Sequence, residues 1–225
     1  MANRRPKAGE PFFQYFSLFL LLLVLVGLVG RAALDYTDAS PPPLSVTAHA
    51  VFMLAWYALV AFQASLIRGH SMIRHQRFGV LSLAVAAGVV YTGAYAAGRH
   101  FMIHEDPYAV LASAQTVFSF AILYLLGFIG RRVPSAHKRF MIYASISILP
   151  PALMGLFAAF GLSALFVFPL WLLLMFVPLA YDWSKHKTVF VSSSISAAFL
   201  IVGLIAAVVV GMNPAWAAYL ESVRT

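Results

Sequence analysis

Seven histidines stand in a very apolar chain, and they are the residues most able to do chemistry. The phrase histidine-x-arginine-phenylalanine occurs at His75–Phe78 and again at His137–Phe140, and His186-Lys187 is a looser version. Each phrase opens an apolar stretch, which predicts the amino terminus of a helix. There the positive end of the helix dipole and neighbouring cations favour a neutral imidazole. Neutral imidazole binds metal ions and haem iron, although a contact with lipid phosphates would explain the same pattern.

A second group of polar residues, His49, Trp56 and Gln63, is spaced by seven. Because seven residues make nearly two helical turns, the three side chains project from one face, which we expect to point into a bundle. Gln63 would then lie within reach of the inner histidines. These patterns predict a polar face lined by His49, Gln63, His75 and His137. His75 and His137 are the expected inner ligands of a haem or metal, and His49 is the expected outer ligand.

Further residues extend this hypothesis. We expect Arg77 and Arg139 to pair with haem propionates or lipid phosphates. His100 and His104 are separated by one helical turn, which predicts a metal site on the outer side if that segment is helical. The chain has no cysteine, which excludes disulfides, thiol catalysis and thiolate-held metals. Because no hydrolase, nucleotide-binding or zinc-protease motif occurs, the sequence assigns no catalytic residue and leaves open whether the protein is an enzyme.

Composition identifies the elements that must position these residues. The chain has 225 residues, of which 62% are hydrophobic and 10% charged, against about 45–50% and about 25% in a soluble domain. A water-soluble enzyme is therefore excluded, and an integral membrane protein is indicated. Since one crossing needs about 20 residues, seven crossings use roughly 140 residues. Residues 1–225 are therefore expected to form one transmembrane domain, without room for a separate soluble domain.

Seven apolar stretches are long enough to cross a bilayer. They lack the alternation of a membrane strand, which predicts an all-α bundle of seven transmembrane helices. We expect Phe160–Ser163 to form a tight turn between the fifth and sixth. The stretches are Phe12–Gly30, Leu44–Ile67, Phe78–Gly98, Tyr108–Gly130, Phe140–Phe160, Ala164–Ala180 and Val189–Gly211.

The distribution of Lys and Arg predicts the orientation of the bundle. With the amino terminus inside, 12 of the 15 basic residues fall in inner segments, and only Arg31, Arg99 and Arg224 fall in outer ones. We therefore expect an inner amino terminus and an outer carboxyl terminus in the bacterial inner (plasma) membrane. Because the net charge of +8 lies beside apolar spans, anionic lipid head groups are the expected partners rather than nucleic acid.

Prolines and small residues mark several spans. Pro150-Pro151 falls in the fifth stretch, and Pro169 and Pro178 fall in the sixth. Broken helices build binding sites in transporters, although proline is also common in membrane helices generally. No Asp or Glu lies inside a stretch; Asp182 comes closest, and Lys185 and His186 beside it predict a salt-bridged helix end. A face suited to close helix packing is formed in the third stretch by Ala84, Gly88, Thr92 and Ala96.

The chain resembles a family of uncharacterised bacterial multi-pass membrane proteins. The residues that carry the resemblance are His49 with Trp56 and Gln63, His75-x-Arg77-x-Gly79, His137-Lys138-Arg139-Phe140-Met141 and Tyr181-Asp182. The phrase His137-Lys138-Arg139 is also similar to that of small membrane proteins of cytochrome oxidase maturation. That resemblance implies a role in redox chemistry or respiratory assembly.

Three functions follow as hypotheses. The first is a membrane protein that binds haem or a transition metal through histidines at helix ends, with a redox or respiratory-assembly role. The second is a non-enzymatic sensor or a packing subunit of a larger membrane complex, which would use the small-residue face of the third helix. The third is a small-solute transporter built on the proline-broken helices, which the lack of buried carboxylates disfavours.

Overall fold

A computed structural model describes residues 9–37, 43–103 and 107–224. Within these ranges the chain forms ten α-helices and two single 3-10 turns, and no strand. The helices are α1 (Pro11–Thr37), α2 (Leu44–Arg68), α3 (Met72–Gly79), α4 (Leu81–Ile103), α5 (Pro107–Ile129), α6 (Pro134–Ser147), α7 (Pro150–Ala159), α8 (Val167–His186), α9 (Val191–Gly211) and α10 (Pro214–Arg224).

Six helical stretches in the described part are long and apolar enough to cross a membrane, and α6 with α7 makes a seventh if this bent pair is one span. The prediction of an all-α, multi-pass membrane protein is therefore confirmed. The boundaries differ from prediction in two places. The third span begins with the separate helix α3 rather than at Phe78, and the sixth continues beyond Ala180 to His186. A turn at Phe160-Gly161 separates α7 from the next helix, as predicted.

Helix α6 is the most polar of the spanning helices, yet it lies among the others. It packs against α1, α5, α8 and α9. Arg139 and every residue from Ile142 to Ser147 are buried. A polar helix is tolerated at the centre of a membrane bundle only when its neighbours satisfy its polar groups. The neighbours do so here for Arg139, which pairs with Asp182 of α8, and α6 is consequently held in a fixed position.

The fifth span is broken rather than continuous, because α6 and α7 meet at 48°. Pro150 lacks the N–H that would bond to the carbonyl of Ile146. Side chains from distant helices replace the missing donors: Trp171 Nε1 donates to the Ile146 carbonyl at 2.7 Å, and Tyr57 OH donates to the Ser145 carbonyl at 2.6 Å. Two carbonyls at the break, those of Ser145 and Ile146, are therefore satisfied by side chains of the protein itself.

Two close helix contacts depend on glycine. On the α1–α7 contact, a Cβ at Gly27 would lie 2.1 Å from the carbonyl oxygen of Ala152, and one at Gly155 would lie 2.5 Å from the carbonyl oxygen of Gly27. On the α2–α4 contact, a Cβ at Gly88 would lie 2.2 Å from the ring of Phe52. Gly88 belongs to the predicted small-residue face, so part of that face packs inside the chain instead of being free for a partner.

Candidate functional site

The structure brings His75 and His137 together. His75 lies within the short helix α3, and His137 lies in the first turn of α6. Their ring centroids are 6.1 Å apart, and the ring planes are nearly perpendicular at 85°. Helix α2 completes the site, because the main-chain carbonyl of Gln63 faces the His75 ring. Three of the four residues predicted to line a polar face therefore meet at one end of the bundle.

The orientation of His137 is fixed by the helix that precedes it. Its Nδ1 lies 2.8 Å from the carbonyl oxygen of Gly127, near the carboxyl end of α5. Because a carbonyl only accepts hydrogen bonds, Nδ1 must carry the proton, and Nε2 keeps its lone pair. Metal-binding histidines in proteins are held in the same way, by a hydrogen bond from the nitrogen that does not bind the metal.

His75 and Gln63 contribute polar atoms whose hydrogen-bonding capacity is unused. Nδ1 of His75 and both side-chain amide atoms of Gln63 are buried and have no hydrogen-bond partner in the described part of the chain. A buried polar atom without a partner costs about 1–3 kcal/mol, so such atoms are rare in folded proteins. The unused hydrogen-bonding capacity of His75 and Gln63 makes this end of the bundle the candidate site.

The spacing of the two rings fits a shared metal ion. With metal–nitrogen bonds of about 2.0–2.1 Å, two imidazoles on one ion have ring centroids about 5 Å apart at a tetrahedral angle and about 6 Å apart in a linear arrangement. The observed 6.1 Å lies at the linear end of this range. Gln63, whose main-chain carbonyl faces the His75 ring, has only neutral polar atoms. In the described residues, no group of three or more His, Cys, Asp and Glu side chains is placed to hold a metal, so no carboxylate joins the pair.

The two carboxylates at this end of the bundle are bound to other residues. Asp182 of α8 pairs with Arg139 of α6, and both side chains are 1% exposed. Arg139 donates through Nε and Nη2 to the Asp182 carboxylate, and through Nη1 to the carbonyl of Ser135 at 2.7 Å. Ser193 of α9 donates to the same carboxylate at 2.6 Å. The ring of Phe190 covers the guanidinium at 3.6 Å. This network ties α6, α8 and α9 together.

Glu10, just before α1, forms the second carboxylate network. Lys138 Nζ lies 2.6 Å from its Oε1, Tyr181 OH donates to its Oε2 at 3.0 Å, and His186 Nε2 lies 3.8 Å away. Burial raises the pKa of Glu10, but the hydrogen bonds and charges of Lys138, Tyr181 and His186 outweigh it, so the pKa falls below its ordinary 4.5. Glu10 therefore stays ionised and joins the start of α1 to α6 and α8.

These networks change three expectations. Arg139 was expected to meet propionates or phosphates, but it is buried against Asp182, so no head group reaches it. Asp182 was expected to pair with Lys185 or His186 on its own helix, and it pairs with Arg139 instead. His186 was expected to open the seventh helix, but it is the last residue of α8 and lies near Glu10. Arg77, by contrast, is exposed on α3, as a contact with head groups requires.

His49 lies apart from the other predicted ligands. Its Nδ1 is 3.0 Å from Oγ1 of Thr92 on α4. The hydroxyl of Thr92 donates to the carbonyl of Gly88 at 2.6 Å, so it accepts from His49. His49 thus acts as a hydrogen-bond donor from α2 to α4. His100 belongs to α4, but its side chain, like all of His104, lies outside the described residues, so the predicted outer pair stays a prediction.

Two residues of the site, Gly127 and Ser193, are not among those predicted from sequence. Gly127 carries no functional side chain, and only its carbonyl matters, so no sequence signal identifies it. Ser193 could have been found, because the run Ser192-Ser193-Ser194 opens an otherwise apolar helix and must find partners there. No family model, no curated protein and no solved structure matches this chain.

Proposed function

We propose that this multi-pass membrane protein binds a transition-metal ion between His75 and His137. The observation that carries the proposal is the buried, unpartnered Nδ1 of His75 beside a second imidazole whose tautomer Gly127 fixes. A bound ion would remove the cost of the unpartnered nitrogen and use the lone pair of His137 Nε2. Gln63 would supply a third ligand atom or help to orient the His75 ring.

A single ion suits this site better than haem does. At Gly127, a Cβ would lie 3.1 Å from Cβ of Phe140 and 2.8 Å from Cε of Met141, so α5 and α6 are in close contact beside His137. A porphyrin would have to separate helices at this point. Haem remains the alternative, and an absorption spectrum distinguishes the two, because only haem gives a Soret band.

We propose a role in redox chemistry or in the assembly of a respiratory enzyme. This role fits a membrane metal site, and it fits the similarity of His137-Lys138-Arg139 to small membrane proteins of cytochrome oxidase maturation. The transporter hypothesis loses support, because the carbonyls of Ser145 and Ile146 at the break between α6 and α7 accept hydrogen bonds from Tyr57 and Trp171. They are therefore not available to a solute. The packing-subunit hypothesis is weakened in the same way by the internal contact of Gly88.

The site would face the cytoplasm of a bacterial cell if the bias of Lys and Arg sets the topology. The exposed residues of α3 support that orientation: Arg74 and Arg77 stand beside the exposed apolar side chains of Met72 and Ile73. A short basic, amphipathic helix of this kind suits an interface with anionic head groups. A reporter enzyme fused to the carboxyl terminus tests the topology, since it should be active only outside the cytoplasm.

Paired variants test the metal proposal. His75→Ala and His137→Ala, each purified in detergent, should lose the metal that the unchanged protein retains, while helical content and thermal stability persist. Trp216→Ala, on the distant helix α10, is the control and should retain the metal. Equal metal content in all four proteins would contradict the proposal.

A further inference from the structure

We infer that the ion held by His75 and His137 is monovalent and soft, with Cu(I) as the natural candidate. The inference rests on the proposed function and adds the identity of the ion. It follows from the charge of the site rather than from its shape alone. The two imidazoles that the structure brings together are neutral ligands, and Gln63, whose main-chain carbonyl faces the His75 ring, carries no charge.

The charge balance disfavours a divalent ion. Burial of an ion costs a solvation energy that grows with the square of its charge, so a divalent ion costs roughly four times as much as a monovalent one of equal size. In many divalent sites carboxylate or thiolate ligands offset that cost. This chain has no cysteine, and in its described residues Glu10 and Asp182 are bound to Lys138 and Arg139.

Nearby charge adds to the cost of a divalent ion. Arg131, which donates to the carbonyl of Phe128 at 3.0 Å, acts electrostatically on His137. A cation close to the site repels a doubly charged ion twice as strongly as a singly charged one, by Coulomb's law. Neutral ligands with a positive neighbour therefore select for low ionic charge.

A soft donor, the thioether of Met141, lies against the residue whose carbonyl orients His137. Met141 lies one helical turn after His137 on α6. A Cβ on Gly127 would lie 2.8 Å from Met141 Cε and 3.6 Å from Met141 Cγ, so the thioether between those atoms lies against the residue that orients His137. Thioethers favour Cu(I) over Zn²⁺ and other harder ions. The distance of 6.1 Å between the ring centroids is close to that of a linear arrangement, which also suits a monovalent ion of low coordination number.

Competition between two ions tests this inference. The detergent-purified protein is stripped of metal and titrated anaerobically with Cu(I) against a chromophoric Cu(I) chelator, and separately with Zn²⁺. We expect one Cu(I) per chain and at least about hundredfold weaker binding of Zn²⁺, the size of effect that changes in ligand environment produce. Zn²⁺ bound as tightly as Cu(I) would overturn the inference but leave the metal proposal standing. Failure to bind either ion would refute the proposed function itself.

Methionine variants separate the contribution of the thioether. Met141→Leu preserves volume, so it should leave the fold intact while weakening Cu(I) binding about tenfold or more. Met53→Leu is the matched control, because Met53 is buried on α2 well away from Gln63, and its replacement should leave Cu(I) affinity unchanged. Equal Cu(I) affinities of the two variants would remove Met141 from the site, and a Zn²⁺ preference in the unchanged protein would overturn the assignment of the ion.

Discussion

Replacing Asp182 with alanine tests the buried ion pair that holds α6, α8 and α9 together. In the unchanged protein Arg139 donates to Asp182 through Nε and Nη2, and both side chains are 1% exposed. The substitution leaves the guanidinium with the carbonyl of Ser135 and the rings of Phe190 and Phe13, none of which carries a negative charge. It also removes the acceptor of the Ser193 hydroxyl.

The expected loss follows from these contacts. Removing one partner of a buried ion pair costs about 3–5 kcal/mol, because the remaining charge stays buried without a counter-charge. The contacts with Ser135 and Phe190 persist, which places Asp182→Ala at about 3–4 kcal/mol. The double variant Arg139→Met/Asp182→Leu removes both charges and fills the same volume. It should therefore lie within about 1 kcal/mol of the unchanged protein, since apolar replacements of buried pairs are often neutral.

Thermal unfolding in detergent measures these differences. A loss of about 3–4 kcal/mol corresponds to a decrease in Tm of roughly 10 °C for a chain of this size. Lys185→Ala, an exposed change on the same helix, is the control and should alter stability by less than about 0.5 kcal/mol. If the double variant were as unstable as Asp182→Ala, the buried unpaired charge could not be the cause of the loss.

Further predictions concern the helix break, the glycine contact and Glu10. Tyr57→Phe should destabilise the protein by about 1–3 kcal/mol in thermal unfolding, because the Ser145 carbonyl loses its hydrogen-bond donor. An unchanged Tm would show that this carbonyl does not depend on Tyr57. Gly155→Ala should lower the free energy of unfolding by about 1–3 kcal/mol, because its Cβ meets the backbone of Gly27. Gly130→Ala, which has open space around it, is the control and should not lower it. Equal effects of the two substitutions would contradict the close packing. The lowered pKa of Glu10 means that its contribution to stability is fully present above its ordinary pKa of 4.5 and is lost as the pH falls through the folded-state value. Tm measured between pH 7 and pH 3 should therefore decrease less in Glu10→Gln than in the unchanged protein, and parallel curves would exclude this linkage.

The spans were predictable because the length of an apolar stretch is a local property. The break between α6 and α7 was less so. Pro150-Pro151 indicated a bend, but a full helix end requires donors for the freed carbonyls, and these come from Tyr57 and Trp171 on distant helices. Hydropathy contains no information about such partners.

The site was predictable in part. The repeated phrase predicted that His75 and His137 lie at the same end of the bundle, and the position of Gln63 near the inner end of its stretch predicted that it lies within their reach. The predictions made from this repeated phrase were wrong for Arg139 and His186. In sequence Arg139 stands beside its histidine as Arg77 does, but it has a buried partner, Asp182, 43 positions further along the chain. His186 ends a helix instead of opening one, because α8 continues past the last apolar residues.

Metal content of the purified protein tests the central claim most directly. Cells supplied with copper, zinc and iron are used for expression, and the protein is analysed for bound metals and for absorption before and after dithionite reduction. The account predicts one metal ion per chain, no Soret band, and loss of the ion in the variant His75→Ala/His137→Ala. A metal-free protein that stays metal-free after anaerobic incubation with Cu(I) would contradict it, and a Soret band would assign the histidines to haem instead.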